Sequence, residues 1–575
     1  MDKNDFDLMM KKSLSEEQIS ACKCMNNMLL TACPGSGKTR TLTYKLAYLA
    51  NYYCDSRRLH IAITYTNRAS DEIMSRLDDM DLKSNNIWAG TIHKFCMEFI
   101  IRPYSMYSTR LKKGYRIIDE YVEKEYKSRI KKELNTKYNN ITDSLIDSRY
   151  KALLLEKKEI DFDDILVESL KLLKEHTYIA ENIASIISSL QVDEYQDTNE
   201  TQYAILAEIY KKNKAILVSF IGDVNQAIYG NLGGVAKTKE ELKCLFGKSF
   251  IEKHLTGCYR SVQRIVDYYS NYAVRPSKIE SKRKDSAKDT TIFFERCVSK
   301  DELTDYLSKI IKDRLLKGDK QDDICVISPS WFLIFPLADG LRKKLPDVAF
   351  DAPDISPFKY DSMNPFYLLA KLTFMRIKGY EKKRKRYAND IIKILENDYG
   401  ISISKEFDAY SLLKIVNAVK KPENGDGLEI YKTVVMNVMS SLKINLIDEE
   451  KLNSCYECFL EKTSSRVSDY SISTVYCDMT RYFEEKHGVV INTIHGVKGQ
   501  EYKTVIAYGL LNGYLPHWTS IRSGDRKKDA FHLLYVLCSR AKDNLYLISE
   551  SGRCKIGGEK YTPTDEIKNV KWKYT

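Results

Sequence analysis

The stretch Ala32-Cys33-Pro34-Gly35-Ser36-Gly37-Lys38-Thr39 follows the apolar run Met28-Leu29-Leu30 and precedes a segment of apolar periodicity. Strand, glycine loop and helix in that order form a cradle for a nucleoside triphosphate. The glycines let backbone N–H groups turn inward onto phosphate oxygens, and the N-terminus of the following helix favours their negative charge. Lys38 is placed to reach the β and γ oxygens, and the Thr39 hydroxyl to ligate Mg²⁺. Residues Pro34, Gly35, Ser36, Gly37, Lys38, Thr39 and Arg40 are therefore the expected phosphate contacts, although Ala32 stands where the strict pattern begins with Gly.

Working outward, a second buried-strand pattern, Leu190-Gln191-Val192, ends in Asp193-Glu194-Tyr195-Gln196-Asp197. Two adjacent carboxylates at a strand's C-terminal edge suit metal-assisted hydrolysis. Asp193 is expected to hold Mg²⁺ through its water shell, and Glu194 to orient and deprotonate the attacking water. The next strand, expected over 215–221, runs into Gly222-Asp223-Val224-Asn225-Gln226, which brings Gln226 to the same edge as a γ-phosphate sensor. Ile61-Ala62-Ile63, ending in Thr64-Tyr65-Thr66-Asn67, and a segment ending in Gly90-Thr91-Ile92-His93 complete a parallel sheet whose loops face one side.

Bulk properties set the frame. At 575 residues the chain exceeds one hydrophobic core and should divide into several domains. Its composition, 43% apolar and 30% charged, is that of a folded chain without an uninterrupted apolar run long enough to span a bilayer. Met1-Asp2-Lys3-Asn4-Asp5 lacks a signal-peptide profile, so a cytoplasmic location and no membrane partner are expected. The net charge of +12 would attract a polyanion. Basic clusters at Lys282-Arg283-Lys284, Lys382-Lys383-Arg384-Lys385-Arg386 and Arg526-Lys527-Lys528 are either solvated surface or phosphate tracks. Of the 14 cysteines, only Cys455 and Cys458 form a C-x-x-C pair, with no second pair nearby, so no structural metal is expected.

Taken in order, these stretches resemble superfamily 1 helicases of the UvrD/Rep type. The likeness continues through Cys258-Tyr259-Arg260-Ser261, Thr493-Ile494-His495-Gly496-Val497-Lys498-Gly499-Gln500-Glu501-Tyr502 and Leu534-Tyr535-Val536-Leu537-Cys538-Ser539-Arg540-Ala541. The resemblance implies an α/β fold of two RecA-like parallel-sheet motor domains, each with a mainly helical insert. The implied division is residues 1–96 and 186–246 for the first core, with 97–185 as its insert, and 247–364 and 486–575 for the second core, with 365–485 as its insert. It further implies an ATP-driven, Mg²⁺-dependent motor moving 3′ to 5′ on single-stranded DNA, or on duplex with a 3′ tail. Gln18 would read the adenine edge, Tyr259 would stack on the base, and Glu501 would bond the ribose. Arg260 and Arg540 would reach the γ-phosphate across a cleft between the cores. Tyr65, Asn67, Thr91 and His93 would line the strand in the first core, with Thr493 and His495 in the second.

The chain departs from that family after Gly230, where Asn231 and Leu232 replace a usual Trp-Arg, and at Asp529-Ala530-Phe531-His532. Loss of a base-stacking Trp should weaken the grip on the strand unless Tyr65, Tyr229 or another aromatic compensates. The second insert looks compact, and only one strand and a short tail are expected after Ala541, leaving no room for a nuclease domain. The compact layout, together with residues 193–197 and 540–543, is similar to the UvrD-like subunit of Gabija anti-phage systems, which implies a nuclease partner. Two alternatives stay open: a repair or replication-restart helicase, and a nucleotide-sensing regulatory ATPase that gates a nuclease with little unwinding.

Overall fold

The computed structural model describes the chain except for residues 1, 2, 54–56, 81–85, 119, 136–141, 231, 232, 288, 289, 353–356, 359, 360, 362, 470, 471, 484–487 and 556. Asn231 and Leu232 thus lie outside the described residues. The chain divides into two compact units, Met1–Cys258 and Tyr259–Thr575. Both are built on parallel six-stranded sheets, the α/β architecture expected of RecA-like cores.

In the first unit the strands are β1 (Met28–Ala32), β2 (Leu59–Thr64), β3 (Ile87–Thr91), β4 (Ile187–Asp193), β5 (Leu217–Gly222) and β6 (Ile251–Leu255). They lie in the order β3-β2-β4-β5-β1-β6, every pair parallel. A parallel sheet is covered on both faces, so its inner strands read as continuous apolar runs rather than as alternation. Met28, Leu29 and Leu30 of β1 are accordingly all buried. Because all six strands run the same way, the ends of β1, β4 and β5 present their loops on one edge, together with those of β2 and β3.

Helix α1 (Glu16–Cys22) begins in a reciprocal capping box between Ser15 and Gln18. Helix α2 (Lys38–Tyr52) starts at Gly37, which sits at φ 79° and supplies no side-chain cap, so the first N–H groups of α2 stay open to an anion. Lys45, buried within α2, donates to the carbonyls of Ala21 (3.2 Å) and Cys24 (2.7 Å). It closes the C-terminal end of α1 and so ties α1 to α2. Burial pushes the Lys45 ammonium down to about 8.

Local chemistry moved two boundaries. Strand β5 starts at Leu217 rather than 215, because the Asn213 side chain accepts from the Ala215 amide and holds a turn there. The strand expected to run to His93 ends at Thr91, whose hydroxyl caps helix α3 (Ile92–Cys96). That helix then widens into a π-turn over Met97–Ile101. The helical segment beyond it includes α4 (Phe162–Glu175), held by ion pairs of Arg110 with Asp164 (2.6 Å) and of Lys151 with Asp161 (2.8 Å).

In the second unit β7 (Ile292–Glu295), β8 (Ile324–Ser328), β9 (Phe350–Asp351), β10 (Val489–Thr493), β11 (Tyr502–Ala507) and β12 (Ala541–Ile548) lie in the order β7-β12-β11-β8-β10-β9, again all parallel. Between β9 and β10 the chain forms α5 (Pro365–Phe374), α6 (Glu381–Tyr399) and further helices that include Ala409–Ala418, Gly427–Ser441 and Glu450–Asp469. They share a separate core that includes Phe366, Leu372, Leu395, Leu412 and Val435. The basic run 382–386 is not uniformly solvated. Arg384 is buried, donating to the carbonyls of Leu372 (2.7 Å) and Met375 (2.8 Å) and to Asn417 Oδ1 (2.8 Å). It caps the end of α5 from inside the core. Cys455 and Cys458 lie one turn apart on the last of these helices.

His60 on β2 is fully buried beside its cross-strand neighbour Ser189, with Nδ1 3.0 Å from the hydroxyl. Burial lowers its pKa from 6.5 to about 4. The folded state therefore resists a proton that the unfolded chain accepts. Stability is complete above pH 6.5 and is lost as pH falls toward 4, by at most about 3 kcal/mol. We expect the denaturation midpoint of the first unit to fall across that window, and His60→Gln, which does not titrate, to flatten the slope.

Candidate nucleotide and nucleic-acid site

In the first unit the loop between β1 and α2 turns on Gly35 (φ 73°) and Gly37 (φ 79°), a conformation that side chains disfavour. Ser36 folds back, its hydroxyl donating to the Cys33 carbonyl at 2.7 Å, and Pro34 is buried beside it. Gln18 reaches this loop from α1. Its Nε2 donates to the Ser36 carbonyl at 2.8 Å, and its Oε1 accepts from the Ser15 amide at 2.9 Å. A side-chain amide has two donors and two acceptor lone pairs, so one of each remains, the pairing that an adenine edge requires. A Cβ on Gly37 would stand 2.7 Å from that Nε2, which fixes glycine there twice over. Thr39 follows in the first turn of α2, and Arg40 points to solvent with its guanidinium 6.0 Å over the Tyr44 ring.

Lys38 Nζ lies 3.1 Å from Glu194 Oε1. Burial works against the ammonium, but the carboxylates of Glu194, Asp223 and Asp193 outweigh it and hold the pKa above its ordinary value. Glu194 sits just past β4 at φ 50°, a left-handed conformation rare for a residue with a side chain. Its amide donates to Asp193 Oδ1 at 3.1 Å. Gln196 donates to the Glu194 carboxylate and accepts from the Asp223 amide (3.1 Å), so the ends of β4 and β5 are bonded together. Asp223 Oδ2 in turn accepts from Gln226 Nε2 at 2.7 Å. Burial and the neighbouring Glu194 push Asp193 up to about 7 against the pull of Lys38.

Thr39 supplies a hydroxyl in the first turn of α2, and the Asp193 carboxylate at the end of β4 adds to the field on Lys38. Mg²⁺ usually takes one or two protein oxygens and fills its other positions with water and phosphate oxygens, so this donor set fits it. Among the described residues no group of three or more His, Cys, Asp or Glu is arranged to hold a metal on its own.

Further along the same edge, Tyr65 at the end of β2 is stacked on Tyr229, ring centroids 4.6 Å apart. Asn67 opens the helix Asn67–Asp79 behind a Thr66 cap. Thr91 spends its hydroxyl on the amide of Lys94 (3.3 Å). His93 meets the Phe162 ring edge to face at 5.5 Å, and burial lowers its pKa despite Asp163 nearby.

In the second unit the Tyr259 ring is exposed above a cavity of about 280 Å³ whose lining includes Arg260, Arg283, Glu501, Lys503 and Lys542. Glu501 accepts from Arg260 Nε (2.8 Å) and pairs with Lys542 (2.8 Å). Burial opposes its charge, but Arg260 and Lys542 hold its pKa down at about 2. Arg283 bonds Asp543 at 2.6 Å and the Arg260 carbonyl at 3.1 Å. Lys503 is anchored by Asp319, a buried carboxylate that also accepts from Arg314 (2.8 Å) and Thr504 (2.7 Å).

Arg540 is only 1% exposed, with its guanidinium bonded to the carbonyls of Val536 (2.9 Å) and Gln500 (3.2 Å) and to Ser539 Oγ (3.0 Å). Thr493 is buried, its hydroxyl accepting from the Gly496 amide (3.1 Å), so it shapes the turn that carries the exposed His495. Sequence reasoning left Lys503, Lys542 and Asp543 without a role at this cavity and placed Arg283 only in a basic run. Their assembly depends on pairing of separate strands, and local spacing carries no trace of it.

The UvrD/REP helicase N-terminal domain model matches residues 14–148 and 123–246, and the UvrD-like helicase C-terminal domain model matches residues 429–552. The chain is also similar to the ATP-dependent DNA helicase PcrA of Staphylococcus epidermidis, 23% identical over 639 residues, covering 95% of this chain and 84% of the relative. The same protein from Staphylococcus aureus is 23% identical over 633 residues, with the same shares covered. With both family models matched in the order of the two units, and the glycine loop and its carboxylates assembled at one sheet edge, the chain belongs to the UvrD/Rep family of ATP-dependent DNA helicases.

Proposed function

We propose that the chain moves 3′ to 5′ on single-stranded DNA, entering at a single strand or a 3′-tailed duplex, and couples each step to hydrolysis of one ATP. Residues 223–229 carry this reading. At one end Asp223 holds Gln226 at 2.7 Å and adds to the negative field on Lys38. Three residues beyond Gln226, Tyr229 stacks on Tyr65. A shift felt at the phosphate end of so short a segment is felt at the aromatic end.

The chemistry follows from the side chains. On nucleotide binding, Lys38 exchanges the Glu194 carboxylate for β and γ oxygens, leaving Glu194 free to take a proton. The oxygen of an attacking water bonds the γ-phosphorus, the bond from that phosphorus to the β–γ bridging oxygen breaks, and Glu194 receives the water's proton. Gln196 holds Glu194 in its left-handed turn. Thr39 and Asp193 are the residues that would hold Mg²⁺, which when bound neutralises charge on the phosphate oxygens. Pro34, Gly35, Ser36, Gly37 and the open first turn of α2 wrap the phosphates, with Arg40 beside them. We assign Gln18 to the adenine edge, Tyr259 to the base face and Glu501 to the ribose. Arg260 and Arg540 are assigned to the γ-phosphate. The strand is assigned to Tyr65, Asn67, Thr91 and His93, and to His495 on the turn shaped by Thr493.

The polarity rests on family likeness. The proposal extends to a nuclease partner in anti-phage defence, supported by the likeness at residues 193–197 and 540–543, and to a cytoplasmic setting. Among the described residues no helix is long and apolar enough to cross a membrane.

Phosphate release measured without DNA, with single strand and with duplex should rise at least tenfold with single strand, and unwinding should require a 3′ tail. Turnover indifferent to the strand would overturn the reading. Lys38→Ala should lower turnover at least 100-fold, whereas Glu194→Gln should lower it as far while retaining bound ATP on filter binding. Tyr229→Ala should keep nucleotide affinity within about twofold and lose roughly fivefold or more in single-strand affinity, read by anisotropy of a labelled oligonucleotide.

A further inference from the structure

The basic run Lys282-Arg283-Lys284 does not behave as one patch. Lys282 pairs at the surface with Glu280 (2.8 Å), whereas the Arg283 side chain turns inward and is only 18% exposed. Its guanidinium works on two sides. Nε and Nη2 fork onto the two oxygens of Asp285 at 2.7 and 2.5 Å. Nη1 lies 2.6 Å from Asp543 Oδ1, 3.1 Å from the Arg260 carbonyl and 3.3 Å from the Lys542 carbonyl. One nitrogen thus meets the main chain of two segments far apart in sequence, 259–262 and 539–543.

Those segments carry cations of the charged cavity, and they are laced together. Ser261 Oγ donates to the Ala541 carbonyl (2.5 Å), and the Val262 amide donates to the Lys542 carbonyl (3.1 Å). Ser281 Oγ donates to the Ser261 carbonyl at 2.8 Å, which brings the segment of Arg283 alongside. The side chains then meet on one carboxylate. Glu501 takes both Arg260 Nε and Lys542 Nζ at 2.8 Å, while Arg260 Nη1 donates to the Ser539 carbonyl at 3.0 Å. Two like charges sharing a carboxylate repel each other, so their separation has to be set by the backbone beneath them. Arginine suits that task because a rigid, planar fork can grip one carboxylate bidentately and still present a nitrogen elsewhere. Lysine ends in a single nitrogen and cannot grip Asp285 in that way while reaching both carbonyls.

We propose that Arg283 is a positioning residue for Arg260. From a fork anchored on Asp285 it holds the carbonyls of Arg260 and Lys542, and so fixes the backbone from which the Arg260 guanidinium extends to the γ-phosphate. The inference rests on the assignment of Arg260 made above and adds the residue that sets its reach.

The test is steady-state phosphate release by the full chain at saturating oligo-dT, with ATP titrated. Arg283→Lys keeps a cation opposite Asp543, so it should hold the wild-type thermal midpoint. It should lower kcat roughly tenfold and leave KM for ATP within about twofold, the pattern of a contact realised in the transition state. Asp285→Asn, at a carboxylate 47% exposed, releases the fork at the surface and should lower kcat by a smaller factor. The deciding measurement is the double variant. In an Arg260→Ala background neither change should lower kcat further, because a positioning residue acts only through the group it positions, whereas a merely structural role would multiply the losses. If Arg260→Ala lowers kcat but Arg283→Lys and Asp285→Asn do not, or if the losses multiply, the positioning role is overturned and the γ-phosphate assignment stands. If Arg260→Ala itself leaves kcat unchanged, that assignment falls and the role of Arg283 falls with it.

Discussion

The ammonium of Lys38, buried beside the carboxylate of Glu194, is the contact from which the rest of the first unit follows. A cation taken out of water must be paired, and an unpaired one costs more than its pairing gains. The sheet meets that demand from two strands, with Glu194 and Asp193 at the end of β4 and Asp223 at the end of β5. Glu194 reaches its position only by entering the left-handed region, and Gln196 keeps it there. The strain is small on the scale of the whole fold, of the order of 1 kcal/mol, and it falls at the turn that sets the carboxylate against the lysine.

This geometry explains why some of the site is visible in sequence and some is not. The glycine loop is legible because its chemistry is local, with strand, turn and helix N-terminus all lying within twenty residues. Asp193 and Glu194 are legible because a buried strand announces its own end. The double engagement of Gln18 is not, since its amide is shared between its own capping box and a loop eighteen residues away. Nor is Arg384, which sits in the most basic run of the chain and reads as surface. Its burial is decided by the open carbonyls at the end of α5, a helix one turn of chain earlier. The shortened start of β5 has a similar origin, where one asparagine side chain outcompetes a strand that the apolar pattern alone would have extended.

The two sheets use their edges in different proportions. In the first unit the polar groups crowd around β1, β4 and β5, while the aromatic pair stands on β2 and on the segment after β5. In the second unit the charged cavity gathers at Tyr259, Glu501 and Lys542, and the exposed rings of Trp331, Phe332 and Trp518 follow β8 and β11. Each sheet therefore separates a charged part of its edge from an aromatic part. A parallel sheet makes this inexpensive, because every strand ends on the same side and a change in one loop leaves the register of its neighbours intact.

The arginines of the second unit obey the same constraint as Lys38. Arg260 rests on Glu501 and the Ser539 carbonyl, and Arg540 on two carbonyls and a hydroxyl, so neither guanidinium is left bare in a low-dielectric setting. These partners are neutral or already shared. Glu501 divides its charge between Arg260 and Lys542, and backbone carbonyls offer only partial charge to Arg540. These contacts satisfy the guanidinium donors without a dedicated carboxylate, so the two cations keep their place on partial and divided charge.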